Sequence, residues 1–199
     1  LKLSDEIKKI IFDAMAEREK MLRAAKNNYP DAIMEIAQAL ASSLSKGGKI
    51  LICGNGGSAA DSQHFAAEMI VRLTSKFVRA PLAAIALSTD TSVLTAAAND
   101  YGYDAIFARQ VQALGKKGDV LIAITTSGNS ANIIKALEVA KGKKMVRIGL
   151  LGNDGGRAKP LCHHTIVVPS QSTLRIQEEH IFILHTLVAI TEQLLYSQE

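Results

Sequence analysis

His64 and Glu68 stand four residues apart in Ser58-Ala59-Ala60-Asp61-Ser62-Gln63-His64-Phe65-Ala66-Ala67-Glu68-Met69, a stretch with helical character. That spacing puts an imidazole and a carboxylate on one helix face, where both can converge on one ligand or metal ion. Glu68 lies between Ala67 and Met69 on what must be a half-buried helix. A carboxylate there is costly unless it is paired or put to use. Near the C-terminus, Gln177 and His185 are separated by eight positions, close to Glu178, Glu179 and His180. At 3.6 residues per turn they stand roughly 80° apart, so both can line one edge of a cleft. A satisfied core histidine is the alternative for His64 and for His185, the latter flanked by Ile183, Leu184 and Leu187. Cys162-His163-His164 has metal-ligand chemistry but no matching second pair, and reads as loop and strand edge.

Two loops add binding chemistry. Gly54-Asn55-Gly56-Gly57-Ser58 follows an apolar run and opens a helix. Its glycines let backbone approach a ligand closely, and the helix start offers free N–H groups. A tight strand-to-helix turn explains the same residues. The loop matches neither the phosphate loop of nucleotide hydrolases nor the spaced glycines of a dinucleotide site. Thr125-Thr126-Ser127-Gly128-Asn129-Ser130 is the second. Its four hydroxyls gather at a helix N-terminus, where donors and the helix dipole suit a phosphate monoester held by hydrogen bonds. Ser130 could also serve simply as an N-cap.

The elements that must carry these residues follow from the hydrophobic period. Short apolar runs at 49–53, 82–87, 120–125, 145–150 and 165–168 are bounded by Gly, Pro or Asp. Strands apolar on both faces belong in a parallel sheet covered by helices. Helical segments are expected between them, at 59–74, 91–97, 104–114 and 130–140, with a long closing helix over 173–195. Strand alternating with helix gives an α/β fold, a doubly wound, five-stranded parallel sheet flanked by helices. Ligands of such sheets bind beyond the carboxyl ends of the strands, where both loops lie. Upstream come two N-terminal helices. Ser4 is a candidate cap for the first, Asn28-Tyr29-Pro30 breaks it, Pro30 opens the second and Gly47-Gly48 stops it. Residues 1–199 read as a single domain, with 1–47 a helical extension that packs on the domain and in subunit contacts.

Composition narrows the function classes. Hydrophobic residues make up 48% and charged residues 21%, which are globular values. The net charge of +4 is spread, and the basic turn Lys141-Gly142-Lys143-Lys144 reads as a solvated helix end, so no nucleic acid partner is expected. No run approaches the length of a membrane span, and the charged, helical start is not a signal peptide. Two cysteines make no disulfide framework. Cys53, at the end of an apolar run, reads as a buried free thiol and points to the cytoplasm.

Taken together, the pieces resemble the bacterial phosphoheptose isomerase family. The resemblance rests on 53–68, Asn99-Asp100, 126–132, Asp154-Gly155-Gly156 and Arg175-Ile176-Gln177-Glu178, and runs in order from about residue 30 to the end. It implies the SIS fold and an aldose-ketose isomerase that converts sedoheptulose 7-phosphate to D-glycero-D-manno-heptose 7-phosphate, the first step toward bacterial lipopolysaccharide heptose. It implies a homotetramer with active sites at subunit interfaces. By position, Asn55, Gly56, Gly57, Asn99 and Asp100 would line the substrate site, with Thr125, Thr126, Ser127 and Ser130 on the phosphate. Glu68 and His185 would be the acid-base pair, and His64, Glu68, Gln177 and His185 would hold zinc, with Gln an unusual ligand for that metal. Leu174 stands where some members carry an acid, which affects one polar substrate contact. The family also has a non-enzymatic relative, an adaptor that binds the replication initiator DnaA. That relative lacks the counterparts of Glu68 and His185, both present here.

Overall fold

The computed structural model describes residues 2–75 and 77–196, so residues 1, 76 and 197–199 of the expected domain lie outside the described residues. The five apolar runs pair side by side as parallel strands: β1 (Ile50–Cys53), β2 (Ala84–Ala86), β3 (Val120–Thr125), β4 (Val146–Gly152) and β5 (His164–Val168). Their order is β2-β1-β3-β4-β5. Side chains alternate between the sheet's faces. Ile50, Ile52, Ile122, Ile124 and Ile148 enter one core layer, and Leu51, Cys53, Leu121, Ala123 and Leu151 the other.

Helices cover both layers, as a sheet apolar on both faces requires. The first layer receives α2 (Pro30–Ser45), α3 (Gly57–Ile70), α7 (Thr173–Tyr196) and the end of α1 (Lys2–Asn28), through Met21 and Ala25. The second receives α4 (Thr91–Tyr101), α5 (Ile106–Leu114) and α6 (Ala131–Gly142). Cys53 is buried and free as expected, and burial pushes its thiol well above the usual range. Among the described residues, no helix is long and apolar enough to cross a membrane.

Several boundaries differ from the sequence expectation. Ser4 lies inside α1 rather than at its cap, because the helix is already formed at Lys2. The break at Asn28-Tyr29-Pro30 is a single residue, since Tyr29 keeps helical dihedrals and Ile33 N–H donates to its carbonyl at 2.8 Å. The helix expected over 59–74 begins at Gly57 and ends at Ile70, and the strand expected over 82–87 is only Ala84–Ala86. The segment expected at 91–97 continues to Tyr101, where Gly102 turns the chain with φ 86°. Two short 3-10 turns complete the fold, Tyr103–Ala105 before α5 and Gly156–Leu161 before β5; the second had no sequence signal and contains Pro160.

Candidate active site

In the order β2-β1-β3-β4-β5 the chain leaves β1 toward one edge and β3 toward the other. Their carboxyl ends therefore flank the crevice where open α/β sheets bind ligands. The glycine loop leaves β1 there and the hydroxyl loop leaves β3. The two are tied by a reciprocal amide pair: Asn55 Nδ2 donates to Asn132 Oδ1 at 3.0 Å, and Asn132 Nδ2 donates to Asn55 Oδ1 at 2.8 Å. The Tyr103 hydroxyl donates to the same Asn55 Oδ1 at 3.1 Å.

The glycine loop opens α3, which carries His64 and Glu68 on one face, and α7 packs beside it with His185. The side chains of the two helices meet. His64 Nε2 lies 2.9 Å from His185 Nε2, and Glu68 Oε1 lies 3.0 Å from the first and 3.4 Å from the second. The two rings stand edge to face with centroids 5.1 Å apart. The imidazoles are half-exposed while Glu68 is only 12% exposed, and its Oε2 is buried with no hydrogen-bond partner. One ligand atom from each residue falls within 4.8 Å of the others, close enough that the three could hold one metal ion. Two imidazole nitrogens and one carboxylate fit zinc and leave coordination positions open for a substrate.

Gln177 approaches from the same helix. A side chain on Gly57 would place its Cβ 2.6 Å from Gln177 Nε2 and 2.9 Å from Oε1, so only glycine lets this amide lie over the start of α3. Asp61, one turn before His64, has no role legible in the sequence. Burial raises its carboxyl pKa, and the nearby His64 and His185 partly oppose that. Its Oδ2 is buried without a partner, so a second carboxylate backs the histidine pair.

The hydroxyl loop is shaped by its own contacts. Thr125 Oγ1 lies 3.0 Å from Ser130 Oγ and 3.4 Å from Ser127 Oγ, so three hydroxyls converge. Ser130 occupies the N-cap position of α6 yet makes no side-chain capping bond. The capping alternative thus fails: the hydroxyl turns into the loop, and the helix's first N–H groups are left without a side-chain cap. A neighbouring loop braces the cradle from behind. Asn153 Nδ2 donates to the Thr126 carbonyl at 2.8 Å, and Arg157 N–H donates to Asn129 Oδ1 at 3.1 Å. Gly128, at φ 67°, comes so close to Gly155 that a Cβ would sit 2.2 Å from its carbonyl oxygen.

The structure thus brings His64, Glu68 and His185 together, sets Gln177 on Gly57, and joins the Asn55 and Ser130 loops at one crevice. Asn99 and Asp100 are bonded to each other at 2.8 Å in the last, exposed turn of α4. They approach the crevice only through the following residues, where Tyr103 reaches Asn55. His163 accepts from the backbone of Arg147 at 3.1 Å, and Cys162 donates to the Ala158 carbonyl, which leaves that run at the strand edge as expected.

Comparison with known proteins agrees with this geometry. Residues 15–152 match the family profile of the SIS domain. Phosphoheptose isomerase 1 of Campylobacter jejuni is 51% identical over 89% of this chain and 94% of its own length. The phosphoheptose isomerase of Helicobacter pylori strain P12 is 51% identical over 88% of this chain and 90% of its own. Among solved structures, the phosphoheptose isomerase of Neisseria gonorrhoeae superposes with a TM-score of 0.88 at 42% identity, covering 94% of this chain and 99% of that one. With its fold, crevice and relatives in agreement, the chain belongs to the phosphoheptose isomerase family of SIS-domain enzymes and is a sugar-phosphate isomerase.

Proposed function

We propose that the chain interconverts sedoheptulose 7-phosphate and D-glycero-D-manno-heptose 7-phosphate, supplying heptose for bacterial lipopolysaccharide. The observation that supports a proton-transfer site is the convergence of Glu68, His64 and His185. Ketose and aldose differ by one proton moved between C1 and C2 and one moved between their oxygens. Glu68 takes the C1 proton while His185 protonates the C2 oxygen, giving an enediol. Return of a proton to C2 with loss of the O1 proton completes the aldose. Three hydroxyls of the Thr125–Ser130 loop and the α6 N-terminus hold the phosphate, with Thr126 beside them. This fixes C1 and C2 against Glu68. Asn55, Gly56 and Gly57, with Asn99 and Asp100, line the sugar.

His64, Glu68, Gln177 and His185 would hold a zinc ion. When bound, it supplies Lewis-acid polarisation of the substrate's C1 and C2 oxygens. The geometry favours an enzyme over the DnaA-binding adaptor reading, because an adaptor has no use for a carboxylate and two histidines meeting in a crevice.

The test is a panel assay. The purified, zinc-supplied chain should turn over sedoheptulose 7-phosphate much faster than fructose 6-phosphate. Turnover of the six-carbon ketose with none of the seven-carbon one would overturn the substrate assignment.

Ser130→Ala should raise KM by about 10-fold or more, the scale of one hydrogen bond to a charged group, with only a small loss of thermal stability. The loss is small because the hydroxyl makes no capping bond and gives up only its bond with Thr125 Oγ1. An unchanged KM would remove the loop from phosphate binding.

The chain is also proposed to act as a homotetramer with active sites at subunit interfaces. Ile7, Ile10, Ile11, Phe12 and Met15 of α1 are each more than half exposed, an apolar row that a water-facing helix does not need. Light scattering should return a mass near four chains, and a monomer would rule this out. The free thiols of Cys53 and Cys162 fit a reducing compartment, the cytoplasm, and recovery of the chain from another cell fraction would contradict that.

A further inference from the structure

Helix α3 ends without a glycine and without a side-chain cap of its own. Its last carbonyls are orphaned in principle, and its last turn begins at Glu68. Two residues from outside the helix close this end: Leu82 N–H donates to the Met69 carbonyl at 3.0 Å, and Arg79 supplies the side-chain donors. Arg79 Nη2 donates to the carbonyl of Glu68 at 2.8 Å, and Nη1 donates to the carbonyls of Met69 at 2.7 Å and Ala80 at 3.1 Å. Its Nε donates to Glu192 Oε1 at 2.7 Å, and the two side chains are 0% and 5% exposed.

Glu192 lies on α7, seven residues beyond His185. Seven residues are two turns less about 20°, so both face α3 along one stripe. Arg79 therefore links the backbone of Glu68 to the helix that presents His185, two turns from the point where their side chains meet. A buried ion pair is weak evidence for stability, since desolvating two charges offsets most of their attraction. What the guanidinium fork supplies is direction: its donors are planar and fixed, and a lysine could not reach the carboxylate and the helix-end carbonyls together.

We propose that Arg79, with Glu192, is a positioning residue: the pair sets α3 against α7 so that Glu68 and His64 meet His185 at metal-binding distance. The inference rests on the reading of that cluster as the isomerase centre. Groups that orient metal ligands typically change metal affinity or activity by about 10–100-fold when lost.

The test is the double variant Arg79→Met/Glu192→Met, which removes both charges and leaves neither unpaired. Thermal stability, cobalt(II) affinity read by its visible absorption, kcat and KM are measured on wild type and variant. The variant should fold, bind cobalt about 10–100-fold more weakly and lose kcat on the same scale, with KM nearly unchanged because the hydroxyl loop sits on β3. A folded variant with wild-type cobalt affinity and wild-type kcat would overturn the proposal. If the double variant does not fold, Arg79→Lys is judged by the same readouts: a drop in cobalt affinity and kcat supports positioning, and wild-type values overturn it. Cobalt affinity keeps the two claims apart. Wild type that binds cobalt but isomerises no sugar phosphate would refute the proposed function while the variants still judge the clamp. Full turnover in wild type and variants alike would leave the function standing and remove the clamp.

Discussion

Glu68→Gln should fold and lose at least about 100-fold in turnover, the usual scale for removing a general acid or base. Glutamine keeps the shape of glutamate but can neither accept the carbon-bound proton nor present a charge to the two imidazoles. The native side chain is only 12% exposed, so little water can substitute for it. A 100-fold loss corresponds to about 2.7 kcal/mol of transition-state stabilisation. The cost to stability is smaller, because Oε2 lacks a partner and its replacement by an amide nitrogen breaks no hydrogen bond there. The measurement is kcat alongside a thermal melt. A folded variant within a few-fold of wild type would take Glu68 out of the chemistry.

His185→Ala should cost at least about 100-fold as well, by a different route. It removes the oxygen-side acid and one of the ligand atoms gathered within 4.8 Å. Turnover and metal affinity should therefore fall together. His185 is 45% exposed, so the space vacated opens to solvent and added imidazole can enter it. Partial rescue of turnover by imidazole is expected. Near wild-type turnover without it would assign the oxygen-side proton to another group.

The sheet was legible because each strand is apolar on both faces, and only a covered parallel sheet buries such runs. The crevice followed, since the glycine and hydroxyl loops both sit directly after strands. His64 and Glu68 were legible as a pair because helical spacing is local, but their meeting with His185 depends on how α3 packs against α7. The end of α3 is hidden for a related reason: helical pattern continues past Ile70, and the carbonyls of Glu68 and Met69 bond outward to Arg79 and to the backbone of Leu82. Asp61 carries no local signal of a role in the sequence. Only its burial beside the two histidines gives it meaning. Ser130 carried a true cap signal, and the structure spends that hydroxyl on Thr125 instead. The bonds of Asn132 and Tyr103 to Asn55 had no local signal, since Asn55 lies 77 and 48 residues away in sequence.

The most direct test is an NMR time course of sedoheptulose 7-phosphate with purified, zinc-supplied wild-type chain and, in parallel, with Glu68→Gln. The account predicts that ketose signals decay while anomeric signals of the aldose heptose 7-phosphate grow, and that the variant shows at most about one hundredth of that rate. Persistence of the ketose with folded, metal-supplied wild type, or equal progress in both samples, would contradict it.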